Sequence, residues 1–128
     1  MGFGKLSLIL DYGKGRIFWD KEELTCGLGL YSSVSSEGAW FDSSQAFWRT
    51  RLLEQRRLVA VGSWPWIPMT QEWEISLLNE KTIKWKITKQ AWGEVTLECE
   101  QANLMLSNKY RKWFTDKHTN GNFPEKFK

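Results

Sequence analysis

Apolar and polar residues alternate with period two along much of this chain. The alternation is clearest over residues 73–77 and 83–87, where Trp, Ile or Leu alternates with Glu, Ser or Lys. Such alternation is typical of a β-strand with one buried face. The polar link Asn79-Glu80-Lys81 has the length of a turn, and reversing the chain there places both apolar sets on one sheet face. The pattern therefore predicts a β-hairpin.

Weaker alternation, interrupted by residues that favour turns, predicts further strands. They cover Lys5–Asp11, Arg16–Asp20, Gly29–Val34, Gly38–Phe41, Gln45–Leu53, Arg57–Ser63 and Glu94–Leu104. Many short strands at this spacing indicate an all-β fold, an antiparallel β-sandwich or jelly roll. Only Ser107–Phe114 favours a helix, with aromatic residues three or four positions apart. We expect a β-sandwich domain over residues 1–114 and a polar tail or linker over residues 115–128.

The composition fits one globular domain: 128 residues, 41% of them hydrophobic and 26% charged. The apolar runs are too short to cross a bilayer, so a soluble domain without a membrane partner is predicted. Asp11 interrupts the first apolar run, and no secretion signal is predicted there. The formal charge of +3 comes from the basic stretch 109–128, and the near-neutral remainder argues against nucleic acid as a partner. The basic aromatic segment Lys109–Trp113 could grip a phosphate backbone, but a solvated helix face is favoured.

Residues with metal or nucleophilic chemistry are few. His118 is the sole histidine, and Cys26 and Cys99 are the two cysteines. This set lacks the spacing of a zinc site, so neither a metal nor another cofactor is expected. The cysteines could pair in an oxidising compartment or remain small buried hydrophobic residues, and the alternation of Cys99 with Val95 and Leu97 favours burial.

Nine tryptophans are the main anomaly of the composition, because each large ring must either fill the core or lie exposed for a reason. The pattern assigns four of them to the core: Trp19, Trp48, Trp73 and Trp85. The segment Trp64-Pro65-Trp66-Ile67-Pro68 differs, since two prolines stiffen it and remove backbone donors. It is predicted to present two indoles outside a regular strand.

Exposed indoles stack on the C–H faces of sugar rings, while planar polar side chains bind the hydroxyls. The candidate ligand-binding residues are therefore exposed tryptophans and nearby polar residues: Trp64, Trp66, Trp40, Asp42, Gln45, Gln71 and Trp92. Gln101 and Asn103 are further polar residues on a strand. Two other interpretations stay open. Trp64 and Trp66 could plug an end of the sandwich, and Asp42 could cap a turn.

The stretch YGKGRIFWDKEELT at residues 12–25, followed by GLGLYSSV, SWPWIPMTQEWEISLLNEKTIKWKI and ECEQANLMLS, resembles the galactose mutarotase-like β-sandwich (supersandwich) domains. The resemblance covers roughly residues 5–107. It implies a role with carbohydrates, since members of that superfamily are epimerases, lyases or non-catalytic parts of polysaccharide enzymes. Mutarotases use histidines with a glutamate, and the predicted sandwich contains no histidine, so mutarotase activity is not expected.

These observations favour non-catalytic binding of a polysaccharide or oligosaccharide, with no catalytic residue assigned. One alternative is an interaction module that pairs with a second copy or with a neighbouring domain of a larger carbohydrate-active enzyme. The other is a carbohydrate-active enzyme such as a glycoside hydrolase or epimerase. It would use same-face carboxylates, Glu98 with Glu100 or Glu72 with Glu74, as glycosidases use a carboxyl pair.

Overall fold

The fold is an antiparallel β-sandwich of two sheets, as the alternation predicts. A computed structural model describes residues 1–110, together with the backbone of residues 112–114 and 120–122. Within the described residues the larger sheet has seven strands. They are β1 (Gly2–Phe3), β2 (Leu6–Leu10), β3 (Gly15–Trp19), β4 (Glu22–Glu23), β5 (Thr25–Ser36), β6 (Ala39–Asp42) and β11 (Cys99–Leu106). The smaller sheet has four: β7 (Phe47–Glu54), β8 (Arg57–Ser63), β9 (Met69–Asn79) and β10 (Thr82–Ala91).

In the larger sheet, β11 pairs with one edge of β5. The other edge of β5 pairs with β3 and, further along, with β6. In the smaller sheet the order is β10-β9-β8-β7. The predicted hairpin is β9 and β10, in which Ile75 lies opposite Trp85 and Trp73 opposite Ile87. Its apolar residues share one face, because directly paired residues in an antiparallel ladder point to the same side.

The two sheets enclose a core that follows from this register. Leu8 and Ile17 of the larger sheet pack in one cluster with Leu58 and Trp73 of the smaller sheet. The four tryptophans assigned to the core all belong to it or pack against it, which confirms that prediction: Trp19, Trp48, Trp73 and Trp85. A second cluster at one end of the sandwich contains Val34, Trp64 and Met69.

Three hairpins turn through two-residue loops in which both residues have positive φ, the geometry that matches strand twist. They are Tyr12-Gly13 (φ 48 and 79), Asp20-Lys21 (49 and 69) and Glu37-Gly38 (52 and 80). In the first, Asp11 and Lys14 exchange backbone hydrogen bonds of 2.8 and 3.2 Å. The tight turns explain how strands as short as β4 and β6 pair directly with their neighbours.

The predicted helix at Ser107–Phe114 is wrong. Residues 107–110 form a turn, and Lys112–Phe114 is a strand, β12, paired with β13 (Asn120–Asn122). A helical period read over eight residues is too short to outweigh the pairing of a strand. Of the predicted tail from residue 115, the structure describes only β13, and the rest lies outside the described residues. No helix among the described residues is long and apolar enough to cross a membrane.

Two other local predictions also need correction. β11 begins at Cys99, whereas the sequence predicted a strand from Glu94. The alternation of Val95 and Leu97 reflects their packing against the second cluster instead. Cys26 and Cys99 are both free thiols, and Cys26 is exposed rather than buried. They cannot meet, because Cys26 lies beside Leu106 at one end of β11 and Cys99 lies opposite Ser35 at the other.

Candidate functional site

Three connections meet at one end of the sandwich, which we call the loop end. They are the Glu37-Gly38 turn, the segment 64–68 between β8 and β9, and the segment 92–98 between β10 and β11. The backbone N–H of Trp92 donates to the Pro68 carbonyl at 2.9 Å. The carboxylate of Glu98 accepts a hydrogen bond of 2.9 Å from the Gly38 N–H. These contacts tie the third connection to the other two.

A cleft of about 310 Å³ lies between these connections. Its walls combine one exposed indole with carboxylates, hydroxyls and a few aliphatic groups: Ser36, Glu37, Trp66, Ile67, Pro68, Glu94, Val95 and Thr96. A flat apolar surface beside hydrogen-bonding groups is the combination that an oligosaccharide requires.

Trp66 is the aromatic wall of this cleft, and 62% of its surface is exposed. Its ring stacks on Phe41, with centroids 6.2 Å apart and planes inclined by 22°. Phe41 in turn packs against the second cluster. Trp64, two positions before Trp66, and Ile67, directly after it, are buried and fix the backbone of the segment. The indole is thus held against the domain on one side, and it is exposed as predicted for this residue.

Trp64 does not belong to a binding surface. Its side chain is only 1% exposed, and its Nε1 donates to the Asp42 carbonyl oxygen at 3.0 Å. It fills the end of the sandwich between Val34 and Met69. The interpretation of Trp64 as a plug of this end is therefore correct for this residue, whereas its assignment to a ligand surface is wrong. The prolines act on both residues alike, and packing separates them.

Gln71 is also a core residue and is 1% exposed. Its Oε1 accepts hydrogen bonds of 2.6 Å from the Ser32 hydroxyl and from Trp73 Nε1. Its Nε2 is buried without a partner in the described part of the chain. Gln71 lies on the inner face of β9, where it bridges the two sheets, so it cannot contact an external ligand.

Asp42 and Gln45 serve a turn of 3₁₀ helix at Ser43–Gln45. The Asp42 carboxylate accepts from the Ser44 N–H at 2.8 Å, and Gln45 Oε1 accepts from the Asp42 N–H at 2.8 Å. This reciprocal arrangement is a capping box. It gives Asp42 the capping role considered for it from the sequence, and it occupies the amide oxygen of Gln45.

Trp40 and Trp92 are exposed, at 53% and 68%. Trp92 begins the third connection of the loop end, next to Pro68. Trp40 lies on β6 opposite Ser35 and points away from the core, because its neighbour Phe41 points inward. Gln101 and Asn103 lie on the same outer face, where both side chains hydrogen-bond to the Ser33 hydroxyl, at 3.4 and 3.2 Å. Of the predicted set, Trp66 lines the cleft and Trp92 lies next to it.

Sequence reasoning missed the polar half of the cleft, Glu37, Glu94 and Thr96. Glu37 precedes a glycine between two strands, a signal that identifies a turn but gives no ligand. Glu94 lies 57 positions later in the numbering. Nothing local to either residue indicates that they line one cleft, since their proximity depends on how the two sheets pack.

A second depression, of about 350 Å³, lies at the β2–β3 turn and is lined by charged residues whose charges are already paired. Arg16 donates to both carboxylate oxygens of Glu23, at 3.0 and 2.9 Å, and Thr25 Oγ1 donates to the same carboxylate at 3.1 Å. The hydrogen bond from Arg16 lowers the pKa of Glu23, and Glu23 raises the pKa of Arg16. Because no aromatic residue lines it among the described residues and its charged groups are paired, this depression is a weaker candidate for a ligand site.

Three of the four carboxylates considered for catalysis have structural partners. Glu98 accepts from Gly38, Glu100 lies 3.5 Å from Lys89 Nζ, and Glu74 lies 2.7 Å from Arg57 Nε. Glu98 and Glu100 are therefore engaged by structural contacts, whereas an acid and base pair needs both groups available to a substrate. Comparisons with known protein families, with curated proteins and with solved structures found no match to this chain.

Proposed function

We propose that the loop end binds carbohydrate without chemical turnover, with Trp66 as the stacking platform. The observation that carries this proposal is the position of the exposed Trp66 indole at the wall of a cleft whose other groups are mainly polar. A sugar ring over the indole would bury its C–H face, and its hydroxyls would reach carboxylate and hydroxyl groups.

The rigidity of the platform also supports this proposal. Trp66 is stacked on Phe41 in a segment anchored by the buried Trp64 and Ile67, so little side-chain freedom is lost when a ligand binds. Glu37 and Glu94 supply acceptors for hydroxyl donors, and Ser36 and Thr96 supply groups that can both donate and accept. Trp92 would extend the aromatic surface along the ligand.

The test is binding of the purified domain to a panel of soluble oligosaccharides and polysaccharides. Affinity electrophoresis and calorimetry are preferable to tryptophan fluorescence here, because Trp66→Ala removes the fluorophore as well as the platform. We expect Trp66→Ala to weaken binding roughly tenfold or more. Phe47→Ala is the matched control, since Phe47 is an exposed aromatic residue on β7, outside the cleft. Equal affinities for the native domain and Trp66→Ala would contradict the proposal, and release of shorter or epimerised sugars would favour the enzyme alternative.

The free edge of the larger sheet at β11 favours a second candidate function, pairing with a second copy of the chain. β11 is the last strand in the order of the larger sheet, so its outer edge leaves backbone groups unpaired within the described residues. Leu104 is exposed although its cross-strand partner Leu30 is buried. Sedimentation velocity over a range of concentrations tests this: dimerisation that Leu104→Lys abolishes would support it, and a monomer at every concentration would exclude it.

A further inference from the structure

We infer that the cleft at the loop end selects glycans without negative charge and discriminates against uronate-containing ones. This inference rests on the proposed function, because it names the class of carbohydrate that the same cleft would accept. It follows from the charges around the cleft, which are not those of the chain as a whole.

Among the residues that the structure describes, the lining of the cleft carries two carboxylates, Glu37 and Glu94, and no Lys, Arg or His. Both glutamates are exposed, and neither forms an ion pair within the described residues. A third carboxylate lies beside them, because Glu98 accepts a hydrogen bond from the N–H of Gly38, the residue after Glu37. Lys89, on the strand that leads into this end, is engaged by Glu100 at 3.5 Å. The cleft is therefore acidic although the chain carries a formal charge of +3.

Carboxylates are strong acceptors for the hydroxyls of a neutral sugar, and they would accept equally well from an ammonium group. A uronate adds a further like charge beside the carboxylates of Glu37 and Glu94 in the same cleft. Repulsion between the uronate and each of the two glutamates makes binding less favourable even at the high dielectric constant of water. Together the two repulsions would weaken binding roughly tenfold. The stacking surface of Trp66 does not distinguish these ligands, because the C–H face of a sugar ring is similar with or without a carboxylate at its rim. Charge selection would thus depend on Glu37 and Glu94.

The experiment compares ligands that share a backbone and differ in charge. Suitable pairs are methyl-esterified and de-esterified galacturonan, unsubstituted and glucuronic-acid-substituted xylan, and hydroxyethyl and carboxymethyl cellulose. Each is titrated against the native domain, Glu37→Gln/Glu94→Gln, and Glu72→Gln. Glutamine keeps the shape of glutamate and its hydrogen-bonding oxygen, and both positions are exposed, so folding is preserved. Glu72, exposed on β9, controls for a change in overall charge away from the cleft.

We expect the native domain and Glu72→Gln to bind the neutral member of a pair roughly tenfold more tightly than its acidic counterpart. This difference in affinity should disappear in Glu37→Gln/Glu94→Gln because the acidic member binds more tightly, and added salt should reduce the difference in the native domain. Equal affinity of the native domain for both members, or a difference in affinity that persists in the double variant, would overturn the inference and leave the sugar-binding proposal standing. Binding of no member of any pair would overturn both.

Discussion

The hydroxyl of Ser43 donates a hydrogen bond of 2.6 Å to the carbonyl oxygen of Gly13, 30 residues earlier in the chain. The same hydroxyl accepts from the Ser32 N–H at 3.1 Å, and the Ser43 carbonyl accepts from Trp48 Nε1 at 2.6 Å. One fully buried serine thus joins the β2–β3 turn, β5 and β7. It links the two sheets on the side of the sandwich where β6 crosses into β7.

Replacing Gly13 with alanine should destabilise the domain by about 3 kcal/mol or more. Gly13 has a φ of 79°, and an added Cβ would lie 2.1 Å from the Ser43 carbonyl oxygen and 2.5 Å from Trp48 Nε1. Gly38 provides a matched control, since its φ is 80° and no atom of the described residues lies within 4 Å of its Cβ position. Gly38→Ala should cost only about 1 kcal/mol, from the left-handed backbone alone. Urea unfolding measures both, and equal losses would show that the contact with Ser43 is unimportant.

Removing the Ser43 hydroxyl should also weaken the fold. Ser43→Ala leaves the Ser32 N–H and the Gly13 carbonyl without this partner in a buried environment, at a cost of roughly 2–4 kcal/mol. Ser44 is the neighbouring control, because its half-buried hydroxyl hydrogen-bonds only to Asp42 within the part of the chain that the structure describes. Ser44→Ala should cost less than about 1 kcal/mol. Thermal or urea unfolding of both variants measures these changes in the free energy of unfolding. A loss below about 1 kcal/mol for Ser43→Ala would mean that water replaces the hydroxyl.

The two tryptophans of the segment 64–68 should respond differently to truncation. Trp64→Ala removes a buried ring and should destabilise the domain by roughly 3–5 kcal/mol. Trp66→Ala removes an exposed ring and should change the free energy of unfolding by less than about 1 kcal/mol. Urea unfolding followed by circular dichroism measures both. Similar losses for both variants would contradict the division of roles between the two rings. Loss of sugar binding in Trp64→Ala would therefore report on folding, whereas in Trp66→Ala it would report on the site.

Stability should depend on pH through Glu23. Its pKa in the folded state is lowered, first by the hydrogen bond from Arg16, so the folded state favours the ionised form more than the unfolded state does. The resulting stabilisation is present above the unfolded pKa of about 4.3 and is lost as pH falls through the lower folded value. Glu23→Gln should therefore remove part of the acid sensitivity. Unfolding free energies measured from about pH 6 to about pH 3 test this, with Glu72→Gln as the control, and parallel curves for the native domain and Glu23→Gln would refute it.

Period-two alternation determined where most strands lie, because burial of one sheet face leaves its mark on every second residue. The hairpin of β9 and β10 follows directly from it, down to the opposition of Trp and Ile across the strands. The same alternation correctly assigned Trp73 and Trp85 to the core. These features are local, so a single stretch of sequence contains the information that specifies them.

β5 could not be predicted at its full length, because its signals are not local. It runs from Thr25 to Ser36 through Gly27 and Gly29, which have positive φ, and it ends in buried serines. The sequence predicted a strand that ends at Val34, because the serines that follow it, Ser35 and Ser36, favour a turn. In the fold, Ser32 and Ser33 find side-chain partners in Gln71 and Asn103, far along the chain, and burial becomes tolerable.

In the candidate site, too, the sequence predicted some features and tertiary packing decided the others. The two prolines of the segment 64–68 predicted a stiff connection with aromatic residues, and the exposed Trp66 agrees with that prediction. Only the packing of the two sheets decided that Trp64 fills the core while Trp66 faces the cleft. Packing also brought Glu37 and Glu94 together from separate connections. Alternation records which side of a strand is buried, but it carries no information about which connections meet at the end of a sandwich.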